Sequence, residues 1–227
     1  MTAILGFCTA RGAFLAADTQ QTDPNTLKPY PKAATKITKL AAWVVVGISG
    51  AGFLDIGDDL RVETKRAEAD RANLDEFLQR IGRVLRRIHG TSVYGFGKQR
   101  AATTAILAGH DRVKDAGFLC ALQHALDFTP QMVVEAGLKT ATGTLPLVSD
   151  TMTAVLEELR LTESRLPLDH WALEALRRIS ENDPTVGLPA HLAIVDEHDA
   201  VVYAAQRDTP RRDCFLVDFP EPTAKGA

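Results

Sequence analysis

A chain of 227 residues with 26 Lys+Arg against 29 Asp+Glu, a formal charge of -3 and 45% hydrophobic residues can bury a sizeable core without a disulfide or zinc staple. The near-neutral balance excludes a general nucleic-acid binder or a polybasic membrane binder, because both depend on a cationic excess, and no apolar run reaches the ~20 residues that a membrane-spanning helix requires. Three widely spaced cysteines, Cys8, Cys120 and Cys214, fit no ligand cluster and are expected as reduced thiols of a cytoplasmic protein.

The first ten residues are apolar, lack a basic leader and are interrupted at Arg11, so they are expected to form a strand rather than a signal peptide. Residues 3–9 and 13–18 read as a hairpin about Ala10-Arg11-Gly12, with Gly12 supplying a positive φ. If that turn centres on Arg11, Ile4 lies opposite Asp18, and Thr2, Ile4, Phe14, Ala16 and Asp18 share a face. The polar, proline-bearing stretch from Thr19 to Ala34 is a loop. Strands are expected over 35–40 and 42–49, the second ending in Gly47-Ile48-Ser49-Gly50-Ala51-Gly52.

From Leu54 to His89 the period changes to that of a helix, clearest in the stripe Leu74, Phe77, Leu78, Ile81, Val84, Leu85 and Ile88. Two helices divided near Ala72-Asn73 are expected. Strand character returns at 101–109 and 116–124, with another strand between Met132 and Thr140. Helices follow Pro146 (147–161) and Pro167 (168–181), and strands are expected at 190–196, 200–206 and 214–219. Strands and helices that cluster separately indicate α+β architecture with two stacked antiparallel sheets flanked by helix pairs, in one domain over 1–227 with a loosely packed tail about 207–227.

Thr2 is the first chemical feature. Removal of Met1 would give it a free α-amine beside its hydroxyl, and an amine that titrates near 7.7–8.0 can act as general base for that hydroxyl. The chain resembles the proteasome β-subunit family of N-terminal-nucleophile hydrolases, including bacterial HslV-type peptidases and the stand-alone bacterial homologues such as the betaproteobacterial group. The resemblance is carried in order by Thr2-Ala-Ile-Leu-Gly6, Ala16-Ala17-Asp18, Thr35-Lys36-Ile37, Ile48-Ser49-Gly50, Thr142-Gly143-Thr144 and Asp183 four residues before Gly187. It implies a four-layer αββα sandwich and a threonine endopeptidase in which Thr2 is the nucleophile. Asp18 and Lys36 would form its charged pair, the Gly50 amide would be the oxyanion donor, and Thr144 and Asp183 would bond the Thr2 amine. Gln21, Thr22, Ala34, Ile48 and Gly52 resemble residues that bind substrate, with Ile48 and Ala34 pointing to an apolar side chain before the scissile bond.

The same resemblance implies no cofactor or metal, a homo-oligomer of stacked rings, polypeptide substrates and an ATPase unfoldase as a candidate partner, with no role for nucleic acid or membrane. Three departures stand out: Val186 replaces a serine although Thr185 adjoins it, Leu145 replaces a small residue, and the loop before Lys36 is long. Rival readings are a ring-forming homologue without turnover and a small-molecule amidase. The glycines of 47–52 are in the wrong order for a dinucleotide loop. His191 and His198 are too isolated for a metal site, and Arg80, Arg83, Arg86 and Arg87 read as a solvated or subunit-facing helix surface.

Overall fold

The computed structural model describes residues 2–22, 26, 28–30, 33–50, 60, 62, 73–96, 103–134, 137, 139–143, 146–205 and 216–218. The chain is mixed α/β. The opening hairpin pairs β1 (Ile4–Cys8) with β2 (Ala13–Asp18), every residue of both buried. Its register differs from the expected one by a residue. Both the amide and the hydroxyl of Thr9 donate to the Gly12 carbonyl, at 2.8 and 2.9 Å. The turn therefore centres between Ala10 and Arg11, and Ile4 faces Ala17. A one-residue shift exchanges the faces. Ile4 joins Ala13, Leu15 and Ala17 in one apolar cluster, while Ala3, Leu5 and Phe7 join Phe14 and Ala16 in another. Gly12 does not adopt the positive φ expected of it. It is needed for close approach, because a Cβ there would lie 2.1 Å from the Val195 carbonyl oxygen.

The next strands are β3 (Ile37–Ala41) and β4 (Val44–Gly50), and helix α1 runs Leu74–Phe96, past the expected end at His89. Asn73 starts it by accepting the Glu76 amide while its own amide group bonds the Glu76 carboxylate, a reciprocal cap. The helix expected before it, from Leu54 to Ala72, falls almost wholly outside the described residues. β5 (Thr103–Asp111) and β6 (Ala116–Gln123) form a second hairpin. The single strand expected between Met132 and Thr140 is instead two, β7 (Gln131–Val133) and β8 (Lys139–Thr142), which join different sheets. Helices α2 (Leu147–Thr162) and α3 (Leu168–Asn182) start after Pro146 and Pro167. Between them lies β9 (Arg165–Pro167), and β10 (Ala190–Val195), β11 (Ala200–Ala205) and β12 (Leu216–Asp218) are the remaining strands among the described residues.

Two five-stranded antiparallel sheets result, ordered β11-β10-β2-β1-β8 and β3-β4-β5-β6-β7, while β12 pairs with β9 in a small ribbon. The first sheet packs apolar side chains against α2 and α3, and the second packs against α1. The third cluster contains Ile4, Leu15 and Ala17 from the first sheet together with Ile37, Val45 and Ile106 from the second. Strands covered on both faces lose the usual alternation of polar and apolar residues. Trp171 locks α3 in place: it is fully buried, meets Phe7 edge-on at 5.6 Å, and donates its indole N–H to the Met152 carbonyl at 3.0 Å. Among the described residues no helix is long and apolar enough to cross a membrane. Trp171→Ala is expected to cost about 3–5 kcal/mol of unfolding free energy through the cavity it leaves, read as a lower urea midpoint.

Candidate functional site

β1 is flanked in its sheet by β2 and β8, so residues at the start of β1 lie between the end of β2 and the end of β8. The end of β2 is Asp18, fully buried. Its Oδ1 accepts the Ala3 amide at 2.9 Å, the peptide N–H immediately after Thr2. Its Oδ2 accepts the Lys36 ammonium at 2.7 Å, the Gln20 amide at 3.1 Å and the Gly187 amide at 3.4 Å. The carboxylate therefore spans the gap between Lys36 and the backbone at Thr2. Asp18 does this through its carboxylate at the strand end, despite the shifted register, and shared-face placement of Thr2 and Asp18 does not apply.

Lys36 is only 8% exposed at its side chain. Its carbonyl accepts the Ile48 amide at 3.0 Å, which fastens the start of β3 to β4. The long loop before it is closed where it leaves and re-enters: the Thr19 carbonyl accepts the Ala34 amide at 2.8 Å and the Gln21 carbonyl accepts the Tyr30 amide at 2.8 Å. Closing a longer loop adds little entropy cost, so its length leaves Lys36 in place. Burial pushes the Asp18 carboxyl up and the Lys36 amine down, and their mutual attraction opposes both shifts.

The opposite flank of β1 is formed by Thr142, paired with Ile4, and by Gly143. Gly143 has φ +145°, and a Cβ on it would lie 3.4 Å from the Thr2 carbonyl oxygen, so this segment rests against Thr2. Thr144 and Gly52 lie outside the described residues. Gly50 ends β4 with φ 141°, is exposed and pairs with Thr103. Ala34 is buried, Ile48 packs partly against the cluster under α1, and Gln21 and Thr22 are half-buried. The Thr22 hydroxyl has no hydrogen-bond partner among the described residues.

Asp183 follows α3 and is buried; its Oδ1 accepts both the amide (2.9 Å) and the hydroxyl of Thr185. Thr185 thus places a hydroxyl on the Asp183 carboxylate. Gln20 donates to the Pro184 carbonyl, and the Thr19 amide donates to the Gly187 carbonyl at 3.3 Å, so the turn carrying Asp183 is fastened to the segment carrying Asp18.

Sequence reasoning overlooked His191, set aside for its isolation. On β10 it pairs with Ala17, and burial together with the Lys36 charge pushes its imidazole below the ordinary histidine range. Only register could reveal it, because Ala17 is adjacent to Asp18. The described cysteines are weak rivals as nucleophiles: burial pushes the Cys8 thiol up to about 11 and Cys120 up to about 12. Among the described residues no three His, Cys, Asp or Glu side chains are grouped to hold a metal.

No protein-family model matches the chain. A search of characterised proteins likewise finds no significant match.

Removing the buried acceptor leaves the Lys36 ammonium and the Ala3 amide unpaired. Asp18→Ala is therefore expected to cost about 3–5 kcal/mol, and Asp18→Asn, which keeps an acceptor for Ala3 but turns its amide NH2 toward the Lys36 ammonium, somewhat less. Urea unfolding of the two variants checks the order.

Proposed function

We propose that this chain is a threonine-type peptidase subunit of a self-compartmentalising ring complex in the cytoplasm, folded as a four-layer αββα sandwich. The observation that carries the reading is the Asp18 carboxylate, joined at once to the Lys36 ammonium and to the amide that follows Thr2. After Met1 is removed, Thr2 has an α-amine and a hydroxyl on adjacent carbons. The amine takes the hydroxyl proton as Oγ1 attacks the peptide carbonyl. Lys36 lowers the cost of negative charge developing on that oxygen, and Asp18 fixes where Lys36 points.

The carbonyl oxygen becomes an oxyanion beside the Gly50 amide. Collapse breaks the C–N bond, the proton held by the α-amine passes to the leaving amine, and an ester to Thr2 remains. Water, deprotonated by the same α-amine, attacks the ester and restores the hydroxyl. Asp183, with Thr185 on its carboxylate and Thr144 in the preceding segment, steers the proton of the amine. Gln21 and Thr22 line the extended substrate, and Ala34, Ile48 and Gly52 shape a pocket for an apolar side chain. Head-to-tail contacts that close generate rings and enclose the site, restricting it to unfolded polypeptide delivered by an ATPase unfoldase.

Intact mass combined with a threonine-directed electrophile tests the reading. The expected result is a chain lacking Met1 that carries one adduct, lost in Thr2→Ala together with peptide hydrolysis. Retention of Met1 contradicts the mechanism. An unreactive Thr2 in a chain that still forms rings would favour a structural homologue, whereas hydrolysis confined to small amides would favour an amidase.

The α-amine must be neutral to accept a proton, and the adjacent Lys36 cation disfavours its protonated form. The rate kcat/KM is accordingly expected to rise with pH, with an apparent pKa at or below the usual 7.7–8.0 of an α-amine. A pH–rate profile on a fluorogenic peptide checks the direction.

A further inference from the structure

Among the described residues, two polar ties join the sheets at the end where β1 begins. One is Lys36 to Asp18, on the β2 side of β1. The other has no assigned role: on the β8 side, the Ser49 hydroxyl of β4 lies 3.1 Å from the Thr142 hydroxyl. Ser49 is 7% exposed and its Oγ also lies 3.3 Å from the Thr104 carbonyl. A carbonyl can only accept, so the Ser49 hydrogen goes to Thr104 and Thr142 donates to Ser49. This consumes both hydroxyl hydrogens in one directed chain, Thr142 to Ser49 to Thr104.

The neighbouring residues give the tie its meaning. Thr142 pairs with Ile4, and the next residue, Gly143, rests against the Thr2 carbonyl. Ser49 precedes Gly50. Two residues before Ser49, a Cβ on Gly47 would lie 3.1 Å from Ile4 Cγ2, which places this stretch of β4 directly over β1. One hydrogen bond thus connects the strand ending in Gly50 to the segment packed on Thr2. Apolar contacts resist separation of the sheets but permit sliding, because dispersion is non-directional. A hydroxyl pair of fixed length and angle does not.

We propose that Ser49 and Thr142 are positioning residues that hold the Gly50 amide in register with the Thr2 hydroxyl. The inference rests on the peptidase reading above. Neither hydroxyl touches substrate; each acts through the glycine beside it, Gly50 or Gly143. A small misplacement of an oxyanion donor lowers the rate of the chemical step while leaving ground-state binding nearly intact.

The test compares Ser49→Ala, Thr142→Val and Thr142→Ser with the unaltered protein, with Thr2→Ala as control. Native mass spectrometry confirms assembly. Ser49→Ala and Thr142→Val are each expected to lower kcat by about 10-fold, less than the 10²–10³ seen when a donor is deleted outright. KM should change little, and affinity for a peptide boronate, which mimics the tetrahedral intermediate, should fall by the same factor as kcat. Thr142→Ser, which keeps the hydroxyl, should restore kcat.

Wild-type kcat in both Ser49→Ala and Thr142→Val overturns the proposal while leaving the peptidase reading intact, provided Thr2→Ala is inactive. A rate loss that only tracks the folded fraction, with kcat per folded subunit unchanged, overturns it as well. Activity that survives Thr2→Ala overturns the peptidase reading and this inference with it.

Discussion

A carboxylate withdrawn from water must be repaid by specific partners, and the fold around Asp18 is arranged to supply them. Among the described residues, four groups meet it: the Ala3 amide from the entry to β1, the Lys36 ammonium ahead of β3, the Gln20 amide from its own strand end, and the Gly187 amide after α3. All but Gln20 come from other segments, Gly187 from 169 residues further along the chain. An isolated buried charge costs several kcal/mol even after relaxation, so the segments that converge on Asp18 favour forming together. The same convergence fixes a cation and a carboxylate beside the peptide N–H that follows Thr2.

The position of this cluster follows from the sheets. β1 lies between the central strand β2 and the edge strand β8, and its beginning is framed by strand ends on both sides. Small residues such as Ala13, Ala17 and Ala193 in the inter-sheet cluster, with Gly47 over Ile4, let the two sheets approach closely. Close approach brings Lys36 and Ser49 of the second sheet to the first. Each then makes a polar contact that apolar packing alone could not aim. The candidate site therefore lies where residues of the two sheets meet at one end, while α1, α2 and α3 pack apolar side chains on the sheets.

Periodicity made most of the fold legible. The stripe from Leu74 to Leu85 is the buried face of α1, and both prolines placed before the later helices stand there. Register was harder to read. The hairpin depended on whether Thr9 would close the turn onto Gly12, a local hydrogen bond that composition does not reveal. The split of 131–142 between two sheets, and the pairing of β9 with β12, depend on long-range partners rather than local preference. Within the site, Asp18 stood out as a charge ending an apolar strand, whereas Lys36, in a segment that alternates and has Lys32 and Lys39 close by, was reached only through the resemblance of Thr35-Lys36-Ile37. Ser49, Thr142 and His191 did not stand out, since ordinary polar residues acquire their roles only from what the opposite strand presents. The pairing of Thr185 with Asp183 lies between these cases: adjacency hinted at it, and the turn after α3 supplies its geometry.

The central claim is that the buried Asp18–Lys36 pair serves the hydroxyl of Thr2. A high-resolution structure of the Met1-free chain with a peptide boronate tests it most directly. The account predicts boron joined to Thr2 Oγ1, with Lys36 Nζ within hydrogen-bonding distance of that oxygen, about 2.7–3.2 Å, and still paired to Asp18. Boron attached elsewhere, or a Lys36 ammonium turned away from Thr2, would contradict it.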